Sequence, residues 1–238
     1  MGDRTVVADR FSITYSVDKD PGRGKTPAAA RPAPTPAAAA ATLPSFDVFP
    51  TRVWQASLDS LAAYFPQWVQ LVLAMRAATP KPAGRTVRRG WNSADMSLLE
   101  RAELAPLTQV IRAACAAALA EMGAPERPFE LQSWVNLHDH GGFNFLHMHE
   151  LSLLSGSFYL QVPPGSGDFV FRDPRPGVLH GWVKGGVPNG HADVHLVPST
   201  GLLVLFPCWL EHYVEPHAGD QPRITIAFNA NTAKAKAG

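Results

Sequence analysis

The rhythm of apolar and polar positions changes twice along the chain. Residues 1–44 hold no sustained period: charges are scattered through the first 25, and 26–43 form a Pro/Ala tract. Such a tract cannot bury enough apolar surface to offset the entropy of ordering it, so 1–44 is expected to be a flexible leader. From Ser45 the texture changes. Phe46 to Trp54 reads as a short strand meeting a turn, after which Leu58, Leu61, Tyr64 and Phe65, then Trp68, Leu71, Val72 and Met75, recur at helical spacing. Pro66 lacks the N–H a helix interior needs and should divide or kink the pair. Residues 79–95 are polar and rich in Pro and Gly, and predict a loop folding towards a site. Pro106 opens the clearest helix, with Leu107, Val110, Ile111, Ala114, Ala118, Leu119 and Met122 as its apolar face and Gly123 as its stop.

Beyond that helix the period falls to two. Strand-like runs occur near 129–138, 144–149, 154–162, 168–172, 194–197, 201–206 and 223–229, punctuated by Gly and Pro. Many short strands of this kind predict a sandwich or barrel. Gly181 to Gly190 reads as a long loop with His180, His191 and His195 at its ends, either solvated or serving as a lid over a substrate.

Composition narrows the function classes. With 46% hydrophobic residues in 238, the chain has ample core for one domain. A net charge of +1 provides no field for nucleic acid or an anionic membrane, so a neutral or small-molecule partner is expected. No apolar run approaches a membrane span or the core of a signal peptide. Cys115 and Cys208 make no disulfide framework, and a reducing cytoplasm is expected.

The candidate chemistry gathers at His147-Met-His149-Glu150. Residues two apart on a strand look the same way, so His147 and His149 can chelate one ion. His212, after the run Gly201 to Phe206, is the best third ligand, and imidazoles suit iron, zinc, copper or nickel. Glu150 is the alternative to His149, available if the chain turns there. His138 and His140 share the spacing, but Gly141-Gly142 follows and predicts a turn rather than a ligand-bearing strand. Arg223 and Thr225 share one strand face, Ile224, Ile226 and Phe228 the other. A guanidinium fork beside a hydroxyl makes a carboxylate clamp. Trp209, next to His212, is expected in the core.

The series Trp134-Val-Asn136, Gly141-Gly-Phe-Asn144, His147-Met-His149, Leu154-Ser-Gly-Ser-Phe-Tyr159, Asp173-Pro-Arg175, Phe206-Pro-Cys-Trp-Leu-Glu-His212 and Arg223-Ile-Thr-Ile-Ala-Phe-Asn229 resembles the iron(II)- and 2-oxoglutarate-dependent oxygenases, in a His-x-His subfamily. The similarity covers roughly 47–231. It implies a double-stranded β-helix, the cupin-like jelly roll, over 129–231, with 45–128 as N-terminal helices packed outside it and 232–238 as a disordered tail. It further implies iron(II) on His147, His149 and His212, and 2-oxoglutarate held by Arg223 and Thr225 with help from Tyr159 and Ser155. Asn136 and Asn144 would line the substrate side or else serve a turn or strand end, and Trp91, in a Gly-Trp-x-Ser-like element, would face the substrate, a small molecule or peptide. With O₂ the outcome would be succinate, CO₂ and a hydroxylated product. Most members use a carboxylate at the position of His149, which keeps two alternatives open: a three-histidine dioxygenase that does not use 2-oxoglutarate, and a non-catalytic jelly-roll binding module.

Overall fold

The computed structural model describes residues 47, 49–177 and 193–233, and the backbone of 4–8 and 11–15. Within the expected leader, β1 (Arg4–Ala8) and β2 (Phe11–Tyr15) pair antiparallel as a unit of their own. Thr5, Val6, Val7, Ile13 and Thr14 supply the β-branched content that favours them, a local signal the expectation of a flexible leader passes over. The rest of the leader, the expected lid at 181–190 with His180 and His191, and residues 234–238 lie outside the described residues.

The other nine strands among the described residues are β3 (Trp54–Ser57), β4 (Val87–Asn92), β5 (Phe129–His147), β6 (Ser152–Gln161), β7 (Phe169–Arg172), β8 (Asp193–Leu196), β9 (Leu202–Pro207), β10 (His212–Val214) and β11 (Arg223–Thr232). They form one curled antiparallel sheet in the order β3-β9-β6-β11-β5-β10-β7-β8, with β4 added to β5. This is the expected double-stranded β-helix.

β5 is the strand that makes the curl. Its first half pairs with β11, from Thr232 opposite Phe129 to Arg223 opposite His138, and its end pairs with β10, His212 opposite His147. Between the two halves, β4 pairs Arg88 with Phe143 and Gly90 with His138, so residues 139–142 bulge outward against Arg89 alone. Gly141 takes φ +76° there, and a Cβ on Gly142 would meet the Asp139 carbonyl at 2.7 Å. Such a bulge re-aims the strand while preserving its pairing on either side. The turn expected after His138 is therefore a bulge within one long strand.

Alternation along β11 divides the molecule into two cores. Ile224, Ile226 and Phe228 join Val135, Leu137 and Phe158 against α1 (Phe65–Ala78) and α2 (Ala105–Glu121), through Trp68, Val72, Leu107, Ile111 and Cys115. Each such side chain stabilises the fold by roughly 1.5–3 kcal/mol on burial. The Trp68 Nε1–H donates to the Glu103 carbonyl at 2.8 Å and ties α1 to the turn before α2. Pro66 and Pro106 each sit in a first helical turn, where no donor is lost, and a 3₁₀ turn over Asp59–Tyr64 precedes α1. The second core, inside the roll, contains Tyr159, Phe169, Phe171, Val204, Phe206, Leu210 and Val214. No described helix is long and apolar enough to cross a membrane.

The region 45–128 is not helical throughout, because β3 and β4 extend the main sheet. The segment expected to be a loop around Arg89 to Ser93 is largely β4. Trp91 accordingly does not face a substrate: it is buried in the helix-side core, its Nε1–H donated to the Thr79 carbonyl at 2.7 Å.

Candidate metal centre

His147 ends β5 and His212 opens β10, and the two are register partners. His149 lies beyond the strand, because a turn at Glu150-Leu151 follows, with Leu151 at φ +66°. The strand repeat expected to aim it is therefore cut short. Its backbone N–H instead donates to the Cys208 carbonyl at 2.9 Å, which holds the segment against the chain entering β10. The ring centroids stand 4.3 Å apart for His147 and His212, 5.1 Å for His149 and His212, and 5.2 Å for His147 and His149. One ring nitrogen from each lies within 4.8 Å of the others. Glu150 is exposed and is not part of the cluster.

Hydrogen bonding fixes the tautomers. Nδ1 of His147 meets the Phe145 carbonyl at 2.8 Å, Nδ1 of His212 the Leu210 carbonyl at 2.9 Å, and Nδ1 of His149 the Asn229 Oδ1 at 2.5 Å. Each partner oxygen can only accept, so each Nδ1 holds the proton and each Nε2 keeps a lone pair. Burial pushes His147 down to about 4, helped by the nearby His149, and holds His212 well below and His149 below the ordinary histidine range. Three neutral imidazoles with free lone pairs form a donor set that suits a divalent transition metal.

Next to this cluster lies a buried cation. Arg223, the first residue of β11, is 1% exposed, and its guanidinium lies over the Tyr159 ring with Cζ 5.2 Å from the centroid. Nη1 donates to His138 Nδ1 at 3.2 Å, while Nε, Nη2 and the Tyr159 hydroxyl have no partner among the described residues. A buried cation with idle donors is expensive unless an anion joins it. Three idle polar atoms beside a three-imidazole cluster fit a carboxylate-bearing chelator, which is the chemistry of 2-oxoglutarate.

His138 holds the arginine in place. Because its Nδ1 accepts from Arg223, its Nε2–H donates to Asn144 Oδ1 at 2.6 Å, and the Asn144 amide donates to Thr86 Oγ1 at 2.7 Å. Burial, then the positive charge of Arg223, pushes His138 down to about 3, so it stays neutral and able to accept.

The cavity at the cluster is lined by Thr86, Trp134, Asn136, Asn144, Tyr159, Phe169, Phe206, Val214, Arg223 and Thr225 together with the histidines. Asn136 and Asn144 thus reach it, although the Asn144 side chain is already committed to His138 and Thr86. Ser155 does not line it. Its hydroxyl donates to Asn229 Oδ1 at 2.9 Å, one step behind His149. Trp209 is 47% exposed rather than in the core, since the turn before His212 faces it outward. Asn229 and His138 were not anticipated as site residues. Asn229 had a legible signal, since residues 223, 225, 227 and 229 share a strand face.

A jelly roll with three imidazoles facing its interior, next to a buried arginine, offers a site that could hold a metal ion. Residues 132–229, the greater part of the β core, match the family model described as "Putative 2OG-Fe(II) oxygenase". Among solved structures, the prolyl-4-hydroxylase of Pseudomonas putida aligns with TM-score 0.55 and 18% identity over 77% of this chain and 94% of its own. The epimerase SnoN from nogalamycin biosynthesis, in complex with Fe3+, alpha ketoglutarate and nogalamycin RO, aligns with TM-score 0.54 and 16% identity over 76% of this chain and 79% of its own. A prolyl hydroxylase from Trichoplax adhaerens, in complex with a peptide fragment of the hypoxia inducible factor oxygen degradation domain, gives 0.53 and 14% over 76% and 83%. At these identities the common property is the fold. No curated protein matches the chain.

Proposed function

We propose that the chain is an iron(II)- and 2-oxoglutarate-dependent oxygenase that hydroxylates a small-molecule or peptide substrate. In this reading His147, His149 and His212 hold the metal, and Arg223, Thr225 and Tyr159 hold 2-oxoglutarate. The observation that carries it is the Arg223 guanidinium, fully buried beside the histidines with Nε and Nη2 idle. Bound there, iron(II) with 2-oxoglutarate and O₂ would supply oxidative decarboxylation to succinate and CO₂ together with oxidation of the substrate.

The chain's own work is positioning. Nε and Nη2 of Arg223 present two parallel donors to a carboxylate, and the Tyr159 hydroxyl adds a third donor close by. His138 prevents the guanidinium from rotating away. Phe169, Phe206 and Val214 wall the cavity and keep water from competing for these donors. The Nδ1 bonds to Phe145, Leu210 and Asn229 hold the three rings in orientation before any ion arrives. With His149 where a carboxylate is usual, the ligand set is one unit more positive, which favours an anionic cosubstrate. The two thiols, Cys115 and Cys208, are free, in keeping with a reducing cytoplasm.

Anaerobic addition of iron(II) and then 2-oxoglutarate to the metal-free chain should produce the visible charge-transfer band of a chelated complex. His212→Ala should abolish iron binding. Arg223→Gln should retain iron and shift the 2-oxoglutarate dependence of the band to at least tenfold higher concentration. Iron binding without the band would favour the three-histidine dioxygenase, and iron binding unchanged in His212→Ala would refute the ligand set.

A further inference from the structure

The approach to β4 leaves a second guanidinium without an acceptor beside the cluster. Nη1 of Arg85 is buried and has no partner among the described residues. Its Cζ lies 5.5 Å from the centre of the Trp134 ring, and that ring lies 5.6 Å from the ring of His149. Trp134 and the neighbouring Thr86 both line the cavity. Three residues on, Arg88 stands 4.7 Å over the Phe145 ring, which is 6.4 Å from His147. Neither arginine forms an ion pair with a described carboxylate, whereas Arg76, on α1, is paired with Asp139 at 2.7 Å. Two guanidinium groups thus lie over aromatic rings that neighbour the cluster histidines. Nη1 of Arg88 already donates to the Arg85 and Val87 carbonyls at 2.8 and 2.9 Å, which leaves Arg85 as the one with an idle buried donor. Along the chain beside the cluster histidines, Phe145 and Met148 on either side of His147, and Trp209 three residues before His212, are each more than 40% exposed.

We propose that the substrate of this site carries an acidic group, received by Arg85, on an apolar body that rests against Phe145, Met148 and Trp209. The proposal rests on the oxygenase reading above and names its substrate class. Arg223 does not compete for this role. It is enclosed inside the roll, next to Tyr159, whereas Arg85 belongs to the strand approach beside Trp134. One cation thus serves the cosubstrate and the other the substrate. Arg85 supplies a donor at a desolvated position, where an oxyanion is bound more strongly than at an open surface, and the aromatic ring beneath fixes the plane of the fork. The group can be a carboxylate or a phosphate. Both present oxygen pairs that match the guanidinium.

The test uses the full chain loaded with zinc(II) and 2-oxoglutarate, which cannot turn over. Phenylacetate, phenyl phosphate and the uncharged phenylacetamide are titrated into it by calorimetry. At least one acid should bind tenfold or more tighter than the amide, and the tighter of the two identifies the group. Arg85→Gln should erase that preference while leaving 2-oxoglutarate affinity within twofold. Arg112→Gln, an equal loss of charge on exposed α2, should erase nothing. Equal affinities for acid and amide, no binding of either acid, or weakened 2-oxoglutarate in Arg85→Gln would each overturn the proposal. If zinc or 2-oxoglutarate fails to bind the wild-type chain, the oxygenase reading fails instead. The contrast between acid and amide on the unloaded chain then still decides the role of Arg85.

Discussion

A guanidinium that is 1% exposed and has two idle nitrogens costs the fold free energy, because no described anion replaces the water it has lost. Arg223→Met should therefore stabilise the metal-free chain, by about 1–3 kcal/mol in urea unfolding, even though His138 loses its donor. The same variant should lose the rise in thermal midpoint that 2-oxoglutarate gives the metal-loaded wild type. A variant clearly less stable than wild type would mean that the guanidinium is supported by more than His138 and the Tyr159 ring. Asn229 is a second case in which a side chain acts through its neighbour, since its Oδ1 fixes the tautomer of His149. Asn229→Leu should weaken iron(II) binding about 10- to 100-fold in a chelator competition, the usual cost of losing the group that orients a ligand. Unchanged affinity would remove Asn229 from the site. Arg223 and Thr225 were legible because one strand period puts both on the same face. His138 was not: its role depends on lying opposite Arg223 across β5 and β11, and no local pattern reports that register.

Among the elements, the helices and most strands followed from period and punctuation, because Pro66, Pro106 and Gly123 mark helix ends that burial then makes firm. Three features of the sheet did not. β4 reads as loop because Arg88, Arg89 and Gly90 interrupt any alternation, and it is a strand only because β5 offers it a partner. β10 is three residues long, too short to show a period. β5 runs through Gly141-Gly142, where glycines allow the bulge that sequence alone represents as a turn. These features position the site, for β4 follows directly on Arg85 and Thr86, and β10 opens with His212. A Cβ at Gly90 would collide with the Leu137 carbonyl and come within 3.1 Å of the His138 Cα. Backbone cannot yield as a flexible side chain can, so Gly90→Ala should destabilise by about 2–4 kcal/mol and separate β4 from β5. Denaturant unfolding measures the first, and the second should appear as faster amide exchange confined to 87–92 and its partners on β5. A variant as stable as wild type would mean that β4 is held much more loosely than its pairing implies.

For the whole molecule, the site makes folding depend on pH in one direction. His138 is pushed down to about 3 and His147 to about 4, and His212 is held well below its ordinary range, all chiefly by burial. In the unfolded chain each would take up a proton near the ordinary value of about 6.5. Above that pH neither state binds the proton and stability is at its full value. As pH falls below it the unfolded state gains protons that the folded state refuses, so stability drops until the folded values are reached near 3 to 4. At pH 5 the loss comes to about 2 kcal/mol for each such histidine, set by the distance below the unfolded value. The sum is smaller than three independent sites would give, because His147 and His212 share one cluster and their charges repel. Urea unfolding of the metal-free chain in chelator, at pH 7 and pH 5, should therefore differ by several kcal/mol, and His138→Gln should remove about 2 kcal/mol of the difference. Saturating iron(II) under anaerobic conditions should raise stability by nearly the same amount at pH 7 and pH 5, because the buried histidines are already deprotonated at both; metal and proton compete for the Nε2 lone pairs only as pH nears 4. Equal stability at the two pH values in chelator would mean that the histidines are solvated in the folded state. No gain from iron(II) at either pH would mean that the metal is not held by them.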